Sequence, residues 1–221
     1  MNISVIIVAA GSGTRLRAKG PKAFVLLKGR PLIAHSLAVF QKAGAVNSIV
    51  VVGHKDHLKR FKNLRRSFKK ISAVVAGGAT RSDSVKRGLK AVGKDVDTVL
   101  VHDAARPLVD AAMLSRLLAA LKKNNAAIVA VPVKATIKQV KSKTMTVERT
   151  LQRSLLWDVQ TPQGFRKDIL VKAHQRKFKG EATDDAMLVE RLGVAVKVVM
   201  GNDRNIKVTT PEDLKIAERL V

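Results

Sequence analysis

The stretch VAAGSGTRLRAKGPKAF, Val8 to Phe24, sets Gly11 and Gly13 just after an apolar run and follows them with Arg15 and Lys22. Glycines at such a turn let backbone N–H groups close on an anion. A guanidinium fork and an ammonium point charge then add fixed positive charge. The chemistry is phosphate binding, yet neither familiar phosphate loop fits. A dinucleotide fingerprint needs glycine where Leu16 stands and an acid roughly 20 residues further on, and residues 29–37 carry no acid. A P-loop needs Gly-Lys-Ser/Thr, whereas Gly20 precedes Pro21 and Lys22 precedes Ala23. What remains suits a triphosphate whose α-phosphorus must become more electrophilic.

Asp103, in the segment VHDAARP, adds the second half of that chemistry. A carboxylate at a strand end, facing a phosphate loop, can hold Mg²⁺ between ligand oxygens. Arg106, three residues on, can grip a second anion. No nucleophile–base pair stands out: there is no cysteine and no G-x-S-x-G, and the five histidines are scattered. His102 precedes Asp103, so in a strand its side chain faces the other way, and it reads as structural.

These residues need a scaffold, and the chain spells out an α/β one. Ser4 to Ala10 is a β-branched run typical of a buried parallel strand. Further strands are predicted at Ser48–Val52, Ala73–Ala76, Thr98–Val101, Ala127–Val131, Val194–Met200 and Ile206–Val208. Helices are predicted over Pro31–Ala43, over Arg81–Val92, after the cap Asp110, and from Thr210-Pro211-Glu212-Asp213 onward. His54 to Lys70 reads as a basic helix, with eight Lys or Arg against one Asp and an inner stripe of Leu58, Phe61 and Leu64. Its charges read as a solvated face. The βαβα rhythm predicts an open, mostly parallel, twisted sheet with helices on both faces, a Rossmann-like fold in one domain over residues 1–221. Ligands bind such sheets beyond the carboxyl ends of strands. The clusters at 11–22, 77–84 and 102–106 all fall there. Pro132 to Leu155 breaks the rhythm and reads as a projecting hairpin, a β-arm that packs on a partner chain.

Composition sets outer limits. The chain has 221 residues, is 46% hydrophobic and carries a net charge of +25. Such charge attracts polyanions, but aromatic residues are 3% and tyrosine is absent, which weighs against the stacking platforms of single-strand RNA readers. The apolar run Val5–Ala10 is too short for a signal peptide or a membrane span. With no cysteine for disulfides, a soluble cytoplasmic protein is expected.

Taken in order, the segments AAGSGTRL, PKAF, GGATRSDSV, VHDAARP, TPQGF, ATDDAMLVERLG and NIKVTTPEDL resemble the 2-C-methyl-D-erythritol 4-phosphate cytidylyltransferase family of the non-mevalonate isoprenoid pathway. The resemblance implies a nucleotidyltransferase core, Mg²⁺ dependence and a homodimer locked by the arm. It implies that Ala10, Gly11, Ser12 and Gly13 wrap the phosphates of CTP, and that Arg15, Lys22 and Lys207 stabilise the transition state. Gly78, Arg81, Ser84 and Ala104 would line the nucleotide side, and Asp103 would bind metal. Asp103, Arg106, Thr183 and Asp184 would sit near the polyol phosphate, with Thr136 and Arg153 reaching from the arm into the partner's site. Two departures stand out: Ala23 replaces the glutamine usual after PK, and Arg204, beside Asp203, occupies the place before NIK where some members have a carboxylate. The alternative readings are a ribitol 5-phosphate cytidylyltransferase and, more distantly, a non-enzymatic nucleic-acid-binding protein, which predicts steep salt dependence.

Overall fold

The computed structural model describes residues 1–16, 20–176, 178, 180 and 182–221. Its strands in chain order are β1 Ile3–Ala9, β2 Leu26–Leu27, β3 Arg30–Pro31, β4 Val46–Gly53, β5 Ile71–Ala76, β6 Thr98–Asp103, β7 Ala126–Pro132, β8 Lys138–Lys141, β9 Thr146–Thr150, β10 Trp157–Arg166 and β11 Lys197–Met200. The helices are α1 Leu32–Lys42, α2 Leu58–Asn63, α3 Arg81–Lys90, α4 Ala111–Leu121, α5 Lys167–Gln175, α6 Asp185–Glu190 and α7 Pro211–Leu220.

A seven-stranded sheet in the order β11-β7-β10-β6-β1-β4-β5 forms the centre. β1 pairs in parallel with β4 and β6, β4 with β5, and β11 with β7. Only β10 runs antiparallel, wedged between β6 and β7. The fold is thus the mostly parallel α/β sheet expected. The pleat sorts β1 onto two faces: Val5, Ile7 and Ala9 pack with Leu37, Phe40, Phe61 and Met113, whereas Ile6 packs with Val85, Leu89, Phe165 and Leu170. Helices α1, α2 and α4 cover the first face; α3, α5 and α6 cover the second. Because both faces are buried, Val5–Ala9 of β1 and Ile49–Val52 of β4 read as unbroken apolar runs.

Four expectations need correction. The segment 54–70 is not one helix: a 3-10 turn at Lys55–His57, the six-residue α2 and another 3-10 turn at Leu64–Arg66 replace it. Like charges crowd successive turns there, and Arg65 turns its guanidinium back onto the carbonyls of Ile71 and Ser72. Second, Ile206–Val208 is no strand; one backbone bond, Val208 N–H to Ala105 O at 2.8 Å, ties it down. Third, β10 is a central strand where none is expected, since Pro162 and Gly164 argue against one. The ladder accommodates them by a register shift against β7 between Val159 and Gln163. Fourth, within the segment 132–155 only Lys138–Lys141 and Thr146–Thr150 pair as strands, and every residue of both is exposed. No helix among the described residues is long and apolar enough to cross a membrane.

Candidate active site

β1, β5 and β6 release the chain at the same edge of the sheet. A cavity of about 340 Å³ opens there. Ala10, Gly11, Ser12, Gly13 and Arg15 line it from the loop after β1, and Lys22 enters from the turn that follows. Gly78, Arg81 and Ser84 come from the β5–α3 junction, and Asp103 and Ala104 from the end of β6. Lys207 closes the ring from the irregular segment before α7. Arg15, Lys22 and Asp103, distant in sequence, therefore share one cavity.

Local rules explain the placements. Gly13 has φ +82, a conformation that L side chains rarely adopt, and a Cβ there would lie 3.1 Å from the Lys22 Cβ. The glycine thus lets the loop fold back on Lys22, whose N–H meets Gly11 O at 3.4 Å. At Gly77 an added Cβ would sit 2.3 Å from that of Ala10, so the two strand-end loops touch only because that side chain is missing. Thr80 opens α3 with a reciprocal cap to Asp83. This aims Arg81 into the cavity from the first turn.

Asp103 is the electrostatic centre. Its Oδ1 accepts from Arg81 Nε at 3.0 Å and its Oδ2 from Lys207 Nζ at 2.7 Å. Burial would raise its pKa, but the two cations outweigh burial and hold it well below the usual carboxylate range. Burial, then the like charges of Lys207 and Arg15, push Lys22 down to about 8, against the weaker pull of Asp103 and Asp213. Lys22 is therefore a cation under stress, stabilised by any anion that enters. His102 is fully buried, 5.1 Å edge-on to Phe40. Its ring nitrogens meet Arg106 O and Thr161 Oγ1, each at 3.1 Å. Burial lowers its pKa to about 4, so it is neutral and holds the end of β6 in place.

Other predicted residues lie outside the lining. Arg106 gives its guanidinium to Asn205 O at 2.7 Å and Val159 O at 3.2 Å, while its charge still acts on Asp103. Asp184 caps α6 through Met187 N and accepts from Gln163 Nε2. Thr183 is exposed beside it, its hydroxyl 3.9 Å from Met187 Sδ. Thr136 and Arg153 are exposed at the base of the arm, Arg153 bonding Lys134 O. Asp203 pairs with Lys134, and Arg204 bonds Leu220 O. Sequence reasoning passed over Asp185 and His174: Asp185, not its neighbour Asp184, meets Arg81, at 2.8 Å, and His174 Nε2 meets Asp185 at 3.0 Å. The paired acids of TDDA were the signal available, but adjacency cannot say which one turns inward.

Among the described residues no three His, Cys, Asp or Glu gather as a metal cage. One buried carboxylate opening on a cationic cavity instead suits Mg²⁺, which is commonly held by one or two carboxylates together with substrate phosphates.

The sequence profile of the family described as IspD, 2-C-methyl-D-erythritol 4-phosphate cytidylyltransferase, matches residues 3–221. An enzyme so named from Alkaliphilus oremlandii is 44% identical over 99% of this chain and 94% of its own length. One from Bacillus licheniformis is 44% identical over 100% and 96%. The fold matches the 4-diphosphocytidyl-2C-methyl-D-erythritol synthase of Anaerococcus prevotii with a TM-score of 0.88 at 32% identity, covering 99% of this chain and 97% of that one. The Thermus thermophilus 2-C-methyl-D-erythritol 4-phosphate cytidylyltransferase matches with a TM-score of 0.80 at 36% identity, covering 100% and 98%.

Proposed function

Since this chain belongs to the 2-C-methyl-D-erythritol 4-phosphate cytidylyltransferase family, we propose that its strand-end cavity transfers CMP from CTP to 2-C-methyl-D-erythritol 4-phosphate and releases pyrophosphate. One observation carries the reading: a buried acid, Asp103, shares a cavity with Arg15, Lys22, Arg81, Lys207 and a glycine-bent loop.

The chemistry needs no general base. A phosphate oxygen of the polyol phosphate, already anionic near neutral pH, attacks the α-phosphorus of CTP. The bond from that phosphorus to the bridging oxygen breaks, and the electron pair leaves with pyrophosphate. The obstacle is repulsion between anions, so positioning and fixed cations supply most of the catalysis. Backbone N–H groups of Gly11 to Gly13 hold the departing phosphates. Arg15, Lys22 and Lys207 neutralise charge building on the α-phosphate. Mg²⁺ would be held by Asp103 and would supply positive charge against the triphosphate. Lys207 and Arg81, which pair with Asp103 at 2.7 and 3.0 Å, hold that carboxylate ionised and in place.

Ala10, Gly78 and Ser84 line the cavity and are assigned to the pyrimidine; equal turnover with ATP contradicts that assignment. The arm exposes Val140, Met145, Val147 and Leu155, an apolar set that supports a homodimer in which Thr136 and Arg153 meet the partner's site. A sedimentation-equilibrium mass of one chain contradicts it. Pyrophosphate release with CTP, Mg²⁺ and a panel of polyol phosphates tests the whole reading. Release with 2-C-methyl-D-erythritol 4-phosphate is expected, and exclusive use of ribitol 5-phosphate overturns it.

A further inference from the structure

We propose that His174 is a positioning residue for the nucleotide, acting through Asp185 to hold the Arg81 guanidinium open toward the cavity. The inference rests on the cavity being the CTP site.

Arg81 stands between two carboxylates on different elements. Its Nε donates to Asp103 Oδ1 at 3.0 Å, on the cavity side, and its Nη1 to Asp185 Oδ2 at 2.8 Å, on the far side. Each acid takes one bond, so neither makes the bidentate fork that a lone carboxylate would form with arginine. The guanidinium spans the two acids, and its second Nη is left for a ligand. Asp185 can act as the rear anchor only if it stays ionised and oriented. Its side chain is 1% exposed, so water cannot do this. His174, from α5, does: its Nε2 lies 3.0 Å from Asp185 Oδ1, and its side chain is 2% exposed. Burial alone would raise the pKa of Asp185, but the His174 bond and the Arg81 charge outweigh it and lower it. Ser82 Oγ, from the first turn of α3, lies 3.4 Å from the other ring nitrogen, Nδ1. A continuous run of polar contacts thus joins α5, α6, α3 and the end of β6, finishing at Lys207 beyond Asp103.

Packing alone does not call for this histidine. Its helix neighbours facing the same core are Leu170 and Ala173, and an apolar residue would fill the space. Only a donor keeps the Asp185 oxygen satisfied. Without one, a buried oxygen loses its partner, and Asp185 turns or takes up a proton. Arg81 then falls wholly onto Asp103. Both the arginine and the acid are withdrawn from an incoming triphosphate.

The test is CTP binding in the presence of Mg²⁺ without polyol phosphate, read by calorimetry at a temperature well below melting. His174→Leu is expected to weaken CTP about tenfold, the scale of removing the outer partner of a functional group. In turnover the same variant raises KM for CTP and leaves KM for the polyol phosphate within about twofold of wild type. His174→Gln keeps an N–H donor and should recover most of the affinity. If His174→Leu lowers only the melting temperature and binds CTP normally, or if Gln and Leu weaken it equally, the inference is wrong. Should the leucine variant fail to fold, Asp185→Asn carries the comparison: weakened CTP binding is expected, and wild-type affinity overturns the proposal. A wild-type chain that does not bind CTP overturns the cavity assignment and this inference together, whereas normal wild-type binding with unaffected variants overturns this inference alone.

Discussion

Two regions of this molecule are crowded with cations, and they do opposite things with them. Residues 54–70 hold eight Lys or Arg and one acid. There the chain breaks into short turns, and Lys55, Lys59, Arg60, Lys62, Arg65, Arg66 and Lys69 lie at the surface. At the strand ends Arg15, Lys22, Arg81 and Lys207 are fewer, but they enclose a cavity and share one buried acid. Burial and mutual repulsion drop Lys22 to about 8, and paired charges hold Asp103 ionised, well below the usual carboxylate range. Water absorbs the first set of charges. In the second set Lys22 and Arg81 are half-buried, and the solvation Lys22 has lost is made good by an anion. Confinement around an acid, not the number of positive residues, makes the site.

Lys22→Ala breaks the comparison most sharply. Turnover should fall by about 10² or more, the scale of losing a preorganised donor to developing negative charge. The matching deletion in the exposed segment, Lys62→Ala, should leave kcat within about twofold, because exposed surface changes are nearly neutral. Pyrophosphate release measures both, and equal losses would erase the distinction.

The pH profile comes next. Lys22 acts as a cation, and its pKa is lowered, so its contribution is present below about 8 and is lost as pH rises through that value. In kcat/KM for CTP, which reports the free enzyme, activity should fall along that limb. Lys22→Arg keeps its charge and should move the fall to higher pH. An unchanged limb in that variant removes Lys22 from the explanation.

Two glycines sharpen the contrast further. Gly13 and Gly29 both have positive φ, +82 and +75, but only Gly13 has a neighbour in the way, Lys22. Alanine should cost about 1 kcal/mol or more of stability at either position, read as a lowered melting temperature. Only Gly13→Ala should also raise KM for CTP. The smallest effect belongs to Lys62→Glu, expected within about 0.5 kcal/mol of wild-type stability; a larger loss would mean that the exposed charges are not independent of the fold.

The sequence carried the scaffold and the three strand-end clusters well because each rests on a local rule. Buried parallel strands must be apolar, Thr80 and Thr210 cap as their neighbours require, and Gly11 and Gly13 mark a loop that approaches an anion. What it hid depends on tertiary position. β10 contains Pro162 and Gly164 and becomes a strand only because β6 and β7 flank it. The inward turn of Asp185 over Asp184 is decided by the docking of α6 against α5 and β10. Lys207 reaches Asp103 across 104 residues, and spacing carries no trace of that pairing. Arg106 looked like an anion grip, yet it is drawn to the carbonyls of Asn205 and Val159, which no pattern in HDAARP announces.

A crystal structure of the chain with Mg²⁺ and a non-hydrolysable CTP analogue bears most directly on the central claim. The account places the α-phosphate among Arg15, Lys22 and Lys207, with the metal on Asp103. A nucleotide seated elsewhere, or an α-phosphate touching none of those three cations, would contradict it.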